Sequence, residues 1–477
     1  MKTSSSTYDA IVIGSGPNGL GAAIKMALAG KSVKVFEGQE TVGGGTRTLE
    51  LTEPGFYHDI CSAVHPTAAG SPFFKSLPLE EFGVEWIHPE YPLVHPLEDG
   101  DAVAVSISLD ETIEDLGKDA RVFKSLYRSF SEHWDTLSHD IFAPFSPFPK
   151  HPLLMARFGW LGLRSAKQVA KSLFKEERTR TYFAGLAGHS ILPLTYAGSA
   201  AFGLVLGTSL HSTGWPIAKG GSHSITKALA AYLESLGGEI ELNRSITSLS
   251  ELPAARSIFF NTSPKGLIDI AGDRLPSSYV NKLKSYKYGP GVFKIDYALS
   301  EPVPWANEKA RKAGTLHIGG SLEEIVQSEQ QAWDGIAADK PYLIVSQPSI
   351  IDHTRAPEGK HTLWVYSHVP NGSDIDMTDA IEAQLERFAP GFKDTIIAKN
   401  TINAPQFESY NPNYVGGDIN TGAAIVSQLF TRPVARISPY TTPLKGVYIC
   451  SSATPPGGGV HGMCGFHAAK KALATDF

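Results

Sequence analysis

The stretch YDAIVIGSGPNGLGAAIKMALAGKSVKVFEGQE, Tyr8 to Glu40, decides the fold. It opens on a short apolar run over residues 9–13, as a strand buried on both faces of a parallel sheet requires. Gly14, Gly16 and Gly19 follow in G-x-G-x-x-G spacing. Small and apolar residues from Leu20 to Leu28 predict a helix that Gly30 ends, and SVKVFE predicts a second strand. Each glycine has its own task. Gly14 permits the tight turn, Gly16 lets the backbone approach a pyrophosphate, and Gly19 lets helix and strand pack closely. The helix N-terminus turns partial positive charge toward phosphates. Glu37 closes the second strand, where a carboxylate accepts hydrogen bonds from a ribose and repels a 2′-phosphate. Strand, turn, helix, strand and acid in this order predict a Rossmann-type dinucleotide site.

Two further glycine-rich stretches point to a long cofactor. TVGGGTRT, Thr41 to Thr48, follows directly, and its glycines with Arg47 predict a second backbone approach to the same phosphates with a cation beside them. At the other end, GVYICSSATPPGGGVHGMCGFHAAKKAL runs from Gly446 to Leu473. It reads as a buried strand, a backbone-lined loop and a helix whose N-terminus points at whatever the loop holds. A helix dipole of about half a charge suits a ring that becomes anionic on reduction, such as a flavin.

The chain has 477 residues, enough for two or three domains, and 42% of them are hydrophobic. A net charge of −6 gives no footprint for nucleic acid. Three cysteines (Cys61, Cys450, Cys464) are too few for a disulfide framework and fit a reducing, cytoplasmic compartment. The start, MKTSSSTYDAIVIGSG, has no apolar or arginine-rich leader pattern, so no signal peptide is expected. No stretch is long and apolar enough to predict a transmembrane span.

GSGPNGLGAA, GGGTRT and SATPPGGGVHG together resemble the phytoene desaturase and flavin amine oxidase superfamily of FAD oxidoreductases. Within it they resemble the branch of pyridine nucleotide-disulfide oxidoreductase domain-containing protein 2. GWPIAKGG, FKIDYAL, PVPW, HVPNGS, RFAPGF and NPNYVGGDI carry the likeness through the middle of the chain. The resemblance implies an α/β fold: a Rossmann-type FAD-binding domain of the glutathione-reductase-like kind with an inserted α+β substrate domain. It implies non-covalent FAD, held by Gly14, Ser15, Gly16, Asn18, Gly19, Glu37, Gly44, Gly45, Thr46, Arg47, Ser62, Ile246, Ser452, Gly458, Gly459, Val460, Gly462 and Met463. The branch name promises a redox dithiol, but the chain has no C-x₄-C pair and no second G-x-G-x-x-G unit.

The expected FAD-binding domain is discontinuous, over 1–72, 212–286 and 436–477. Residues 73–211 form a mostly helical insertion facing substrate or membrane, and 287–435 a substrate domain of sheet and helix. Thr181 to Ala218 contains no charged Asp, Glu, Lys or Arg, which fits helices lining an apolar cavity. Lys150 to Arg180 has eight Lys or Arg against two acids, interleaved with Phe158, Trp160 and leucines. That predicts a basic amphipathic surface able to make peripheral contact with an anionic, inner-membrane lipid face.

His461 in the glycine loop, His65 in SAVHP and His189 in the uncharged stretch are the candidate acid–base residues, because imidazole titrates near neutrality. No histidine spacing predicts a metal, and Cys464 reads as small apolar packing rather than a flavin attachment. The expected activity is that of an FAD-dependent oxidoreductase, phytoene dehydrogenase-like. It would desaturate, dehydrogenate or isomerise a hydrophobic, unsaturated lipid or isoprenoid and pass electrons to a quinone or oxygen. The alternatives are a flavin amine oxidase and an FAD-stabilised, non-enzymatic scaffold that binds a membrane or organelle partner.

Overall fold

The computed structural model describes residues 8–145 and 148–477. Residues 1–7, which include the start of the segment read for a leader, and residues 146–147 lie outside the described residues. Twelve strands form the two large sheets. They are β1 (Tyr8–Ile13), β2 (Val33–Phe36), β3 (Tyr91–Pro96), β4 (Ala102–Val105), β5 (Glu239–Glu241) and β6 (Ala255–Phe260). The remaining six are β7 (Gly291–Leu299), β8 (Ala313–Ile318), β9 (Leu343–Ser346), β10 (His361–Val369), β11 (Ile396–Ile402) and β12 (Val447–Ile449). Five helices matter for the site: α1 (Pro17–Ala27), α2 (Pro152–Gly162), α3 (Glu177–Gly188), α4 (Ser199–Thr213) and α5 (Met463–Thr475).

The first sheet is parallel throughout, in the order β12-β6-β1-β2-β5. Its strands come from the beginning, middle and end of the chain. Helix α1 starts at Pro17, three residues earlier than the apolar run suggested, because Pro at the first turn lacks only an N–H that would go unpaired anyway. Gly30 ends the unit at φ +72°. Val12, Val35 and Phe259 of this sheet and Ala23, Ala468 and Ala472 of α1 and α5 are fully buried together in one apolar cluster. The small side chains let α5 lie directly on α1. A β-carbon at Gly21 would fall 2.7 Å from Gly462 O.

The second sheet has the order β11-β7-β10-β9-β8-β3-β4 and is antiparallel except where β8 meets β3. Strands β3 and β4 come from the stretch read as a mostly helical insertion, so both insertions share one sheet. Its core side is apolar, with Ile295, Tyr297, Leu343 and Val365 buried in one cluster. Its other side carries the unusual residues. The registers His317↔Ile344↔Tyr366↔Lys294 and Thr315↔Ser346↔Trp364↔Asp296 place these eight side chains in two adjacent rows on one face. Helices α3 and α4, both within or bordering the uncharged stretch, cover part of that face. Tyr342 Oη donates to Gly185 O of α3 at 2.7 Å.

Candidate functional site

One cavity of about 1220 Å³ joins the two sheets. At the nucleotide sheet it is lined by Gly14, Gly16, Asn18, Glu37, Gly44, Gly45, Thr46, Arg47, Ser62, Ile246, Ser452, Gly458, Gly459 and Val460. The three distant glycine segments therefore meet at one place. Gly19, Ser15, Gly462 and Met463 stand behind this wall and do not line it. Gly19 packs helix against turn, since a β-carbon there would overlap Gly14 O. Ser15 positions Glu37: its N–H and hydroxyl donate to Glu37 Oε2 at 2.9 and 2.6 Å.

Glu37 is fully engaged. Gln39 N and Arg47 Nη2 donate to its other oxygen at 3.0 and 3.3 Å. A ribose hydroxyl would have to replace one of these donors to bond this carboxylate. Arg47, expected to face phosphate, is turned back on its own loop. It donates to Thr41 O at 2.7 Å, to Tyr410 Oη at 3.1 Å and to Gly44 O at 3.2 Å. Burial explains this, because a guanidinium only 4% exposed needs every donor paired. The second glycine loop also differs from expectation. A β-carbon at Gly44 would lie 3.2 Å from Gly16 Cα, so the loop braces the first turn as well as lining the cavity.

These residues fit a dinucleotide. Helix α1 has Gly16 as its N-cap, with no side-chain cap and no acid in its first turn, leaving its first N–H groups for an anion. A β-carbon at Gly16 would come within 3.0 Å of Asn261 Nδ2, so the narrow approach depends on glycine. Asn18 Oδ1 and Thr262 Oγ1 are buried there without a protein partner, and both residues line the cavity. Replacing Glu37 with alanine is expected to weaken dinucleotide binding by about 1–3 kcal/mol, the scale for bonds to a charged group. A flavin titration with unaltered affinity would show that the carboxylate serves only Ser15 and Arg47.

The three candidate histidines separate. His461 lines the cavity, against the Phe142 ring at 5.4 Å. Its Nδ1 accepts the Met463 N–H at 3.0 Å, capping α5. The neutral ring therefore carries its proton on Nε2, which is buried without a protein partner. Burial lowers its pKa to about 4. With Nδ1 taken up by the Met463 N–H and the proton on a buried Nε2, the neutral ring has no free lone pair, and the role of base read from the sequence does not suit it. His65 does not line the cavity; it is buried beside Trp86, and burial lowers its pKa to about 4. The turn at His65–Pro66 directs its ring into the core, which spacing along the chain did not reveal. His189 does line the cavity, and its Nε2 lies 2.8 Å from His317 Nε2.

The second sheet supplies what the sequence reading missed. Thr315, Ile344, Trp364 and Tyr366 line the cavity from its polar face. Lys294 and Asp296 form a buried ion pair in the same rows, with the Lys294 ammonium 6.0 Å from the Trp364 ring centre. Burial raises the Asp296 pKa to about 6 and lowers that of Lys294. A signal was present in FKIDYAL: Lys and Asp at alternate positions of an otherwise apolar strand mark one face as polar. Cys464 lies outside the cavity wall, and its thiol donates to Thr454 O at 3.4 Å. Among the described residues no cluster of His, Cys, Asp or Glu could hold a metal ion.

The outer part of the cavity reaches α2, through Met155, Phe158, Gly159 and Leu163. The basic surface expected over 150–180 is neutralised in part. Lys167 and Lys171 both pair with Glu323, at 2.7 and 2.6 Å, and Arg178 pairs with Asp101 at 2.8 Å. Lys150 and Lys175 stay exposed, as do the apolar Leu153, at 87%, and Trp160, at 75%. Among the described residues no helix is long and apolar enough to cross a membrane.

Comparison with known proteins agrees with this geometry. Residues 12–77 match the NAD(P)-binding Rossmann-like domain family. The chain is 24% identical to pyridine nucleotide-disulfide oxidoreductase domain-containing protein 2 of Mus musculus, over 97% of this chain and 92% of that one. It is also 24% identical to the neurosporene-forming phytoene desaturase of Rhodobacter capsulatus, over 96% and 92% of the two chains. Among solved structures, putrescine oxidase bound to putrescine superposes with a TM-score of 0.63 at 17% identity, covering 98% of this chain and 99% of that one. The likeness read from the motifs holds along nearly the whole chain. The chain shares its fold with putrescine oxidase and is similar along nearly its whole length to a phytoene desaturase.

Proposed function

We propose that this chain is an FAD-dependent oxidoreductase that desaturates, dehydrogenates or isomerises a hydrophobic, unsaturated lipid or isoprenoid. The observation that carries this reading is the continuity of the cavity. It runs from the dinucleotide wall at Gly14, Gly16 and Glu37 to an apolar wall of Phe202, Val205, Leu206, Trp215 and Ile344. At about 1220 Å³ it exceeds the roughly 300–1,000 Å³ of an ordinary ligand pocket, so a cofactor and an elongated substrate share it.

The cofactor-binding residues named above would hold FAD without a covalent bond. The bound flavin would supply hydride transfer. The chain's own side chains do the rest. Helices α3, uncharged from Thr181 on, and α4 exclude water and orient an apolar substrate. The buried, neutral His461 ring closes the cavity where the glycine loop meets it. Met155, Phe158 and Leu163 form an apolar way in, and the exposed Leu153 and Trp160 beside it would meet a lipid surface together with the exposed Lys150 and Lys175. Electrons would pass on to a quinone or to oxygen.

An amine cation is less well served. The acids lining the cavity are Glu37, Asp140 and Asp269. Glu37 is engaged as described, and Asp140 accepts the Lys150 N–H at 3.1 Å. None stands on the second sheet's wall. The protein as purified is expected to be yellow and to release its FAD to the supernatant on acid precipitation. Its flavin should bleach anaerobically with isoprenoid or lipid extracts. Bleaching by amines alone would turn the assignment to amine oxidation. Yellow protein that no lipid or amine reduces would turn it to a scaffold.

A further inference from the structure

At the second sheet, three residues that line the cavity carry a hydrogen-bonding group with no protein partner. Trp364 is 6% exposed and lines the cavity, and its Nε1 is buried without a partner. Thr315 is 1% exposed and lines it too, and its hydroxyl is likewise unpaired. They belong to one row of the sheet, linked through Ser346. A buried polar group left unpaired costs about 1–3 kcal/mol, so two on one wall point to a ligand that satisfies them.

The third group is the His189 ring. Its Nε2 is taken up by His317 at 2.8 Å, so the nitrogen left for a ligand is Nδ1. An Nε2···Nε2 bond needs one donor and one acceptor. His317 Nδ1 is buried beside Gly185 without a partner. An orphaned N–H is rarer in protein interiors than an orphaned acceptor. His317 therefore keeps its proton on Nε2 and donates it to His189, and His189 carries its own proton on Nδ1. Burial keeps both rings neutral by lowering their pKa values. The indole N–H can only donate, the imidazole N–H donates, and the hydroxyl can do either.

Resting on the reading above of an apolar substrate, we propose that this wall recognises an oxygen function, a carbonyl or hydroxyl, through Trp364, Thr315 and His189. The substrate is then an oxygenated isoprenoid or lipid rather than a hydrocarbon. A hydrocarbon would leave all three groups unpaired. An ammonium would set a charge against two N–H donors, and Asp296, the acid in that row, is already paired with Lys294.

Binding of farnesol, farnesal, farnesene and farnesylamine to the full-length protein as purified tests this, by calorimetric titration from a cyclodextrin carrier. The four share an isoprenoid chain and differ at the head. Farnesol or farnesal is expected to bind about tenfold more tightly than farnesene. Trp364→Phe and Thr315→Val, each confirmed as folded by its melting curve, should each cut that ratio to about threefold or less while farnesene binds as before. Equal binding of farnesene and the oxygenated probes in the wild-type protein, which needs no variant, overturns the proposal and leaves the apolar-substrate reading standing. So does a ratio retained in both variants, or farnesylamine as the tightest probe. Failure of all four to bind overturns both readings together.

Discussion

Gly465→Val is expected to destabilise the protein by more than about 4 kcal/mol and to strip it of flavin. Gly465 lies in the first turn of α5, where that helix crosses α1. A β-carbon there would overlap Asn18 O and come within 2.6 Å of Ala22 N. Both atoms are backbone, so no side chain can swing aside and the helices must part. Overpacking that a side chain absorbs costs about 1–3 kcal/mol, and a backbone collision lies beyond that range. Parting the helices also moves the α1 N-terminus and the Gly457–Val460 loop, which stand on the same cavity. Melting temperature and flavin content per chain report the two effects. A Gly465→Val protein that melts and binds flavin like the parent would show that α5 does not rest on α1 as described. Gly465→Ala should fall between them.

Stability is expected to fall steeply as pH drops from about 6.5 toward 4. Burial lowers the pKa values of His65, His95 and His461 from 6.5 to about 4. Between those two values the unfolded chain binds protons that the folded chain refuses, so folding weakens as pH falls. Each site then loses up to about 3 kcal/mol, at 1.36 kcal/mol per pKa unit. Three such sites approach the whole stability of a typical protein, roughly 5–15 kcal/mol. Asp296 opposes the trend: burial raises its pKa to about 6, so the folded state takes up its proton first. One carboxyl does not offset three imidazoles. Melting temperatures measured across this window should drop, and His65→Phe should flatten the slope. A melting temperature constant from pH 6.5 to 4 would mean that these rings reach water.

The acid profile and the helix crossing differ in how early they could be read. Glycines spaced for a turn, a close approach and a helix crossing are visible in the chain itself, because a missing β-carbon has meaning wherever it falls. Ser15, Gly19, Gly462 and Met463 needed the structure to show that they stand behind the wall rather than in it. His461 was legible as a loop residue. That it caps α5 through Nδ1 was not, because a ring's orientation depends on the backbone it closes upon. The partial pairing of the positive charge over 150–180 was hidden for a related reason. Glu323, which pairs with Lys167 and Lys171, is remote from them in sequence.

The βαβ unit, the converging glycine segments and the likeness to the desaturase and amine oxidase superfamily came from the sequence alone. They rest on local spacing and backbone chemistry, which act within a few residues. The strands of FKIDYAL, TLHI, LIVS and HTLWVYSHV were equally plain as strands. Only the tertiary structure decided which of their faces meets the cavity, since a slip of one residue in any pairing would send Thr315, Trp364 and His317 into the opposite core. It also brought His189 to His317, 128 residues away, by laying α3 across the sheet. Register and helix packing are set by the summed burial of whole faces, and no short stretch of sequence contains that sum.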